Sequence, residues 1–258
     1  MTASTPANFA KSADLAAMPL VLMYHSVAPY DDDPHEVTLT PSRFEQHMRW
    51  LHRRKLRGVS MAELLRARAQ GKGRGLVGLT FDDGYQDFLT YAIPILQRFD
   101  FTATTFVLAG RLGGEDEWNR PAPVKTLMTK DEVRRAATAG MEIGSHGLAH
   151  VPLTEVDDET LKAELVRSRS VLGELVGRDV SGFCYPFGKI DPRVVNAVES
   201  AGYGYACAIW PSRTIGRHAI PRTYVHDRDT SWRLDAKRIV AGIRVGNRFA
   251  VRRHRSAS

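Results

Sequence analysis

At 258 residues with 43% hydrophobic side chains, the sequence is long enough to bury one large core and fits a single α/β barrel, which excludes a mainly disordered chain. Its net charge of +7 favours encounters with anionic partners, but there is no zinc-finger spacing, RNA-recognition signature or basic helix interleaved with stacking aromatics, so nucleic acid is not an expected partner. Cys184 and Cys207 are too few for a disulfide framework and are expected as reduced thiols.

Residues 1–17, rich in Ala, Ser and Thr, read as a flexible leader. The apolar run 19–27 has no basic segment before it and contains Tyr24 and His25, so it reads as a buried strand and not as an export signal. No stretch approaches the roughly 20 apolar residues of a bilayer span, and the expected compartment is the cytoplasm.

Strand-like runs recur at Leu20 to Tyr24, Leu76 to Phe81, Thr104 to Ala109, Met141 to Ser145, Gly182 to Tyr185 and Tyr205 to Ile209. Helical patterns lie between them. Pro41 to Arg53 opens with Thr40 as N-cap and sets Phe44, His47, Met48 and Leu51 on one face; Asp87 to Phe99, Lys130 to Ala139, Asp157 to Val176 and Asp191 to Ala201 read similarly. This alternation predicts a mainly parallel sheet with crossover helices. A closed barrel is expected over an open doubly wound sheet, because polar and unusual residues stand at the ends of the apolar runs, where barrel enzymes gather side chains. Residues 18–232 are expected to form this one domain, and 233–258 a C-terminal helix and basic tail. In that tail, Arg244 to Arg255 interleaves arginines with Val245, Phe249, Ala250 and Val251; a solvated tail is the expectation, and peripheral contact with anionic membrane the alternative.

Gly110 to Lys125 is a long loop punctuated by Gly and Pro, and its Trp118 either stacks on a sugar ring or anchors the loop. Leu79-Thr80-Phe81-Asp82-Asp83-Gly84 ends an apolar strand with two adjacent carboxylates. At a strand-to-turn junction both can reach one cavity, where a cation relieves their repulsion; a solvated turn is the plainer reading of the tripeptide alone. His146 and His150 follow the strand at Met141 to Ser145, and on a helical turn their spacing of four would put both imidazoles on one side. The pair is not a zincin motif, since Gly147 stands where that motif carries glutamate. Two histidines and a carboxylate form a facial set with open positions, and zinc is the first expectation, with Co2+, Ni2+ or Mn2+ as alternatives. Phe183-Cys184-Tyr185-Pro186-Phe187-Gly188 ends another strand in a turn that either aims a main-chain N–H at an oxyanion or is simply tight. Met23-Tyr24-His25-Ser26 puts His25 at the end of the first strand, as a satisfied core residue or a general acid.

These segments, in this order, resemble the NodB-homology polysaccharide deacetylases, carbohydrate esterase family 4: Thr80-Phe81-Asp82-Asp83-Gly84 its first motif, His146 to His150 its second, Cys184-Tyr185-Pro186-Phe187-Gly188 its third. The resemblance covers about residues 18–225 and implies a distorted (β/α) barrel that hydrolyses N-acetyl groups on glucosamine-type sugars. It implies Asp82 as base, Asp83, His146 and His150 as metal ligands, and the Phe187 amide at the oxyanion, with Tyr185, Pro186 and Trp118 binding substrate. Cys184 stands where the third motif usually carries an arginine that orients the base. Met23-Tyr24-His25 resembles the branch of the poly-N-acetylglucosamine deacetylases, which implies His25 as acid, with His226 of Val225-His226 as the second candidate. Arg222 is the expected replacement for the missing arginine. A catalytically silent carbohydrate-binding barrel and a metal hydrolase of non-sugar amides are the competing readings.

Overall fold

The computed structural model describes residues 19–209 and 216–241. The leader 1–17 and the tail Arg244 to Arg255 lie outside them.

Seven parallel strands close into a barrel: β1 (Val21–Tyr24), β5 (Leu76–Phe81), β6 (Thr104–Val107), β7 (Glu142–Ser145), β8 (Gly182–Cys184), β9 (Tyr205–Ile209) and β10 (Ile220–Tyr224). Closure rests on β1, which pairs with β5 on one side, Leu22 opposite Leu79, and with β10 on the other, Leu22 opposite Thr223. An open sheet would leave β1 an edge. The barrel is distorted at β5, whose first half pairs with β4 (Arg57–Val59) and whose second half pairs with β6 on that same side. The short strands β2 (Ser26–Val27) and β3 (Thr38–Leu39) pair with each other above β1.

Helices α1 (Pro41–Arg53), α2 (Met61–Ala69), α3 (Ile93–Arg98), α4 (Lys130–Thr138), α5 (Asp158–Val176) and α6 (Pro192–Ser200) cover the strands. With side chains facing either the lumen or the helices, strand residues are buried on both faces, as parallel strands require. Val21, Phe106, Cys184, Tyr205, Cys207 and Ile220 form one inner cluster, separate from the larger apolar layer beneath the helices. In α1, Thr40 Oγ1 accepts from the Arg43 amide at 3.3 Å and the predicted face is buried, joined by Trp50. Both cysteines are free and buried.

Two departures from the sequence pattern have local causes. The helix expected over 87–99 is instead a wide π turn at Phe88–Ala92 running into α3, because Pro94 has no N–H to continue the regular ladder. Strand β10 was concealed because Pro221 and Arg222 interrupt its apolar run, although Arg222 is fully buried. A further helix at 231–241 inserts Leu234 into the core beyond the boundary set at 232. No helix among the described residues is long and apolar enough to cross a membrane.

Candidate active site

At the C-terminal ends of the strands lies a cavity of about 290 Å³ lined by His25, Asp82, Asp83, His146 and His150, with Trp118, Tyr185 and Phe187 at its walls. His25, Asp82, Asp83 and His146 are delivered by strand ends, and His150 by the loop that follows β7. Asp82 continues β5, its amide donating to the Tyr24 carbonyl at 3.0 Å, and Asp83 then turns into the left-handed region at φ 69 with Gly84 following at φ 75. That turn places both carboxylates on the cavity, where a continuing strand would send them to opposite faces.

His146 continues β7, but the helical turn expected for His146 to His150 does not form. The segment is a loop with Gly147 at φ 85 and His150 at φ 60. The buried Glu164 of α5 accepts from the Leu148 amide at 2.6 Å and the Ala149 amide at 3.3 Å, and a Cβ on residue 147 would stand 2.8 Å from that carboxylate. Glu164 escaped the sequence reading, although a glutamate among Leu161, Leu165, Ser168 and Leu172 on the buried face of a helix was a visible signal. By this route, and not by helical spacing, the two Nε2 atoms converge on Asp83 Oδ1, at 3.3 Å for His146 and 3.4 Å for His150.

The protonation pattern of this trio favours a cation. His146 Nδ1 lies 2.8 Å from the Cys184 carbonyl, which only accepts, so Nδ1 carries the hydrogen and a neutral ring turns its Nε2 lone pair toward Asp83. Burial opposes a charged His146, but the Asp83 and Asp82 carboxylates outweigh it and raise its pKa. Burial lowers His150 to about 4, and its Nδ1 is buried without a hydrogen-bond partner. Burial would raise Asp83, yet the two imidazoles hold it well below the ordinary carboxylate range. Three donor atoms within 4.8 Å of one another, two nitrogens and one carboxylate oxygen, fit a divalent ion; separations near 3.3 Å are those of donors sharing an ion at about 2.1 Å. A second cluster, Asp82, His146 and Cys184, fits one poorly. Burial holds Cys184 as a thiol, and the Arg222 guanidinium already occupies its sulfur at 3.0 Å.

Asp82 has a different environment. Arg222 forks onto it, Nη1 to Oδ1 at 2.6 Å and Nη2 to Oδ2 at 2.8 Å, while Nη1 also donates to Thr80 Oγ1 at 3.1 Å. Burial would raise the Asp82 pKa, and the Arg222 charge and hydrogen bonds outweigh it and lower it. The Cys184 thiol lies 3.5 Å from Oδ2. His25 stands on the open side, Nε2 3.9 Å from the same oxygen.

The remaining predicted residues divide. Trp118 and Phe187 bracket the His150 ring at centroid distances of 4.4 and 4.3 Å. Tyr185 is among the lining residues and ties its hydroxyl to the His218 carbonyl at 2.6 Å. Pro186 is buried and is not among the lining residues, so it shapes the turn that holds Phe187 at φ 57. His226 is not brought to the cavity: its ring packs on Tyr224, and Nδ1 faces Glu36 at 3.1 Å. Sequence reasoning also missed the anchoring of the 110–125 loop. Asp116 accepts from Tyr85 Oη at 3.0 Å and from the Lys125 amide at 2.6 Å, and Lys125 Nζ reaches Ser26 Oγ at 2.9 Å and bonds Thr38 Oγ1.

With this geometry in place, comparison with known proteins gives four findings. The family model described as Polysaccharide deacetylase matches residues 69–206. The Bacillus subtilis protein YxkH is 26% identical over 210 residues, 80% of this chain and 70% of that one. A Staphylococcus aureus poly-beta-1,6-N-acetyl-D-glucosamine N-deacetylase is 23% identical over 205 residues, 74% of this chain and 68% of that one. Among solved structures, the Streptococcus pyogenes deacetylase PplD in complex with acetate superposes with a TM-score of 0.71 at 21% identity, over 85% of this chain and 97% of that chain, and shares the barrel.

Proposed function

Because this chain belongs to the polysaccharide deacetylase family, we propose that it hydrolyses N-acetyl groups on glucosamine units of a saccharide chain or glycoconjugate, with Asp82 as base and Asp83, His146 and His150 as the metal ligands. One observation carries the assignment: two carboxylates adjacent in sequence are held in two separate environments, one facing two imidazole nitrogens and the other clamped by arginine. Such a split suits one carboxylate to a cation and the other to proton transfer.

A bound divalent ion, zinc in our assignment, supplies Lewis acidity toward the acetamide carbonyl and the attacking water. The chain's own residues do the rest. Asp82, kept ionised and oriented by Arg222, retains lone pairs toward the cavity and accepts the proton of the attacking water. The Phe187 amide, fixed by its left-handed turn, donates to the oxyanion that develops as the carbonyl carbon becomes tetrahedral. His25 donates a proton to the nitrogen as the C–N bond breaks, releasing acetate and a free amine. Trp118 and Phe187 offer aromatic faces at the cavity wall to a sugar ring, and Tyr185 completes that wall.

The resemblance to the S. aureus enzyme favours N-acetylglucosamine polymers as substrate. The test is acetate release from β-1,6- and β-1,4-linked N-acetylglucosamine oligomers, with and without a chelator. Release that stops on chelation and returns with zinc supports the reading; no release from any oligomer, in the presence of metal, overturns it in favour of a binding role or a non-sugar amide.

A further inference from the structure

The helix at 231–241 presents an apolar stripe on the side opposite its buried residue. Leu234 enters the core at 1% exposure, whereas Trp232 is 66% exposed, Ile239 55% and Val240 37%. On a 3.6-residue period, positions 232, 236, 239 and 240 share one face, filled here by Trp, Ala, Ile and Val. The helix is therefore amphipathic twice over: one face holds it to the barrel and the other offers large side chains to the surroundings. Its attachment is firm, with Asp235 accepting from Trp50 Nε1 on α1 at 3.2 Å and from Nε of Arg54, the C-cap of α1, at 2.6 Å.

The sequence that follows Asp235 carries charge of one sign. From residue 236 to 258 the sequence carries Lys237, Arg238, Arg244, Arg248, Arg252, Arg253 and Arg255 and no acidic residue, which equals the chain's entire net charge of +7; the rest of the sequence is balanced. The basicity is thus localised and is not a general property of the surface. Arg233 lies over the Trp232 ring, 5.3 Å from its centroid, and so adds a cation at the margin of the stripe. Exposed Trp, Ile and Val on a helix whose sequence continues into a run rich in Arg match the two layers of an anionic bilayer surface, with apolar side chains in the acyl boundary and cations among the headgroups. A nucleic acid backbone would satisfy the charge and leave the apolar stripe in water.

We propose that the exposed face of helix 231–241 docks the protein on an anionic lipid surface. The proposal is independent of the site chemistry, since neither Trp232 nor Ile239 lines the cavity.

Co-sedimentation of the full chain with phosphatidylcholine vesicles, with and without phosphatidylglycerol, tests it alongside the surface variant W232S/I239S and a chain ending at Ala241. The wild type should bind only the anionic vesicles and release as salt is raised, and W232S/I239S should bind about tenfold or more weakly, because two large apolar anchors are withdrawn. The truncated chain should also bind more weakly. An unchanged thermal midpoint and unchanged turnover of soluble substrate by W232S/I239S show that folding and the active site are intact. Four results overturn the proposal: no binding of the wild type to anionic vesicles, equal binding to neutral ones, vesicle binding by W232S/I239S equal to that of the wild type, or a dimer in solution that W232S/I239S dissolves. Tight binding of duplex DNA that W232S/I239S retains in full, without vesicle binding, would assign the basic segment to nucleic acid instead.

Discussion

Arg222 and Asp82 meet edge to edge inside the barrel, both guanidinium Nη atoms on the two carboxylate oxygens at 2.6 and 2.8 Å. Arg222 has no solvent-exposed side-chain surface and Asp82 has 4%, so the pair is a desolvated fork whose two halves come from β10 and the end of β5.

Removing the guanidinium leaves a buried carboxylate with burial as its dominant influence, and burial raises its pKa. Arg222→Ala should therefore move the acid limb of the pH–rate profile upward, lower kcat at neutral pH by about 10–100-fold, and destabilise the fold by about 3–5 kcal/mol. Arg222→Lys should restore charge without the fork and recover only part of the rate. A pH profile of kcat in both variants, with denaturant melts, checks this; an unmoved acid limb in Arg222→Ala would show that Arg222 does not tune the base.

Much of this barrel can be read from the sequence, because parallel strands buried on both faces leave continuous apolar runs, as at Leu76–Phe81 and Tyr205–Ile209. The closing strand β10 is harder to read: the polar residue that makes it useful, Arg222, is also what breaks its pattern. The same holds for the second histidine. His146 and His150 are visible as a pair, but their convergence depends on left-handed backbone at 147 and 150 and on Glu164 from a helix that begins several residues later. Local spacing carries no trace of such long-range hydrogen bonds. His226 shows the converse, a histidine with a suggestive neighbour in sequence whose ring is directed at Glu36.

Asp82→Asn and His146→Ala should fail in different ways. Asn at 82 keeps the size of the side chain and removes the proton acceptor, so turnover should fall by about 10²–10⁴-fold while metal content is retained. Ala at 146 removes one of three donors, so metal content should fall with activity, and excess zinc should restore activity only in part. Metal analysis on the same preparations used for rate measurement separates the two; an Asp82→Asn protein that turns over at the wild-type rate would remove Asp82 from the mechanism.

His25 and His226 can be told apart by the same logic. Only His25 lines the cavity, 3.9 Å from Asp82, whereas burial lowers the His226 pKa at a place away from the lining. His25→Gln should lower kcat by about 10²–10⁴-fold, and His226→Gln should not change it beyond about twofold. An activated substrate, whose leaving group needs no proton, should be spared in His25→Gln. Equal loss on both substrates would count against an acid role.

Stability in the absence of metal should fall on acidification well before the carboxylates titrate. Burial lowers both His47 and His150 from 6.5 to about 4. A histidine whose folded pKa is depressed contributes its full stability above the unfolded value, and that contribution is lost as pH falls from about 6.5 toward about 4, because the unfolded chain binds the proton first. For His47 the structural reason is plain: Nε2 donates to the Asp229 carbonyl at 2.7 Å, Nδ1 faces the Tyr24 hydroxyl at 3.4 Å, and the buried ring has its neutral tautomer satisfied. Each shift corresponds to on the order of 3 kcal/mol, so the thermal midpoint of chelated protein should drop by about 5–10 °C per histidine across that window. In His47→Gln the drop should shrink by the His47 share. Adding zinc should protect the His150 share alone, since a ligated imidazole resists protonation. Thermal melts at stepped pH, with chelator and with zinc, read both shares; a midpoint that stays flat between pH 6.5 and 4 in chelator would rule out buried neutral histidines at these two positions.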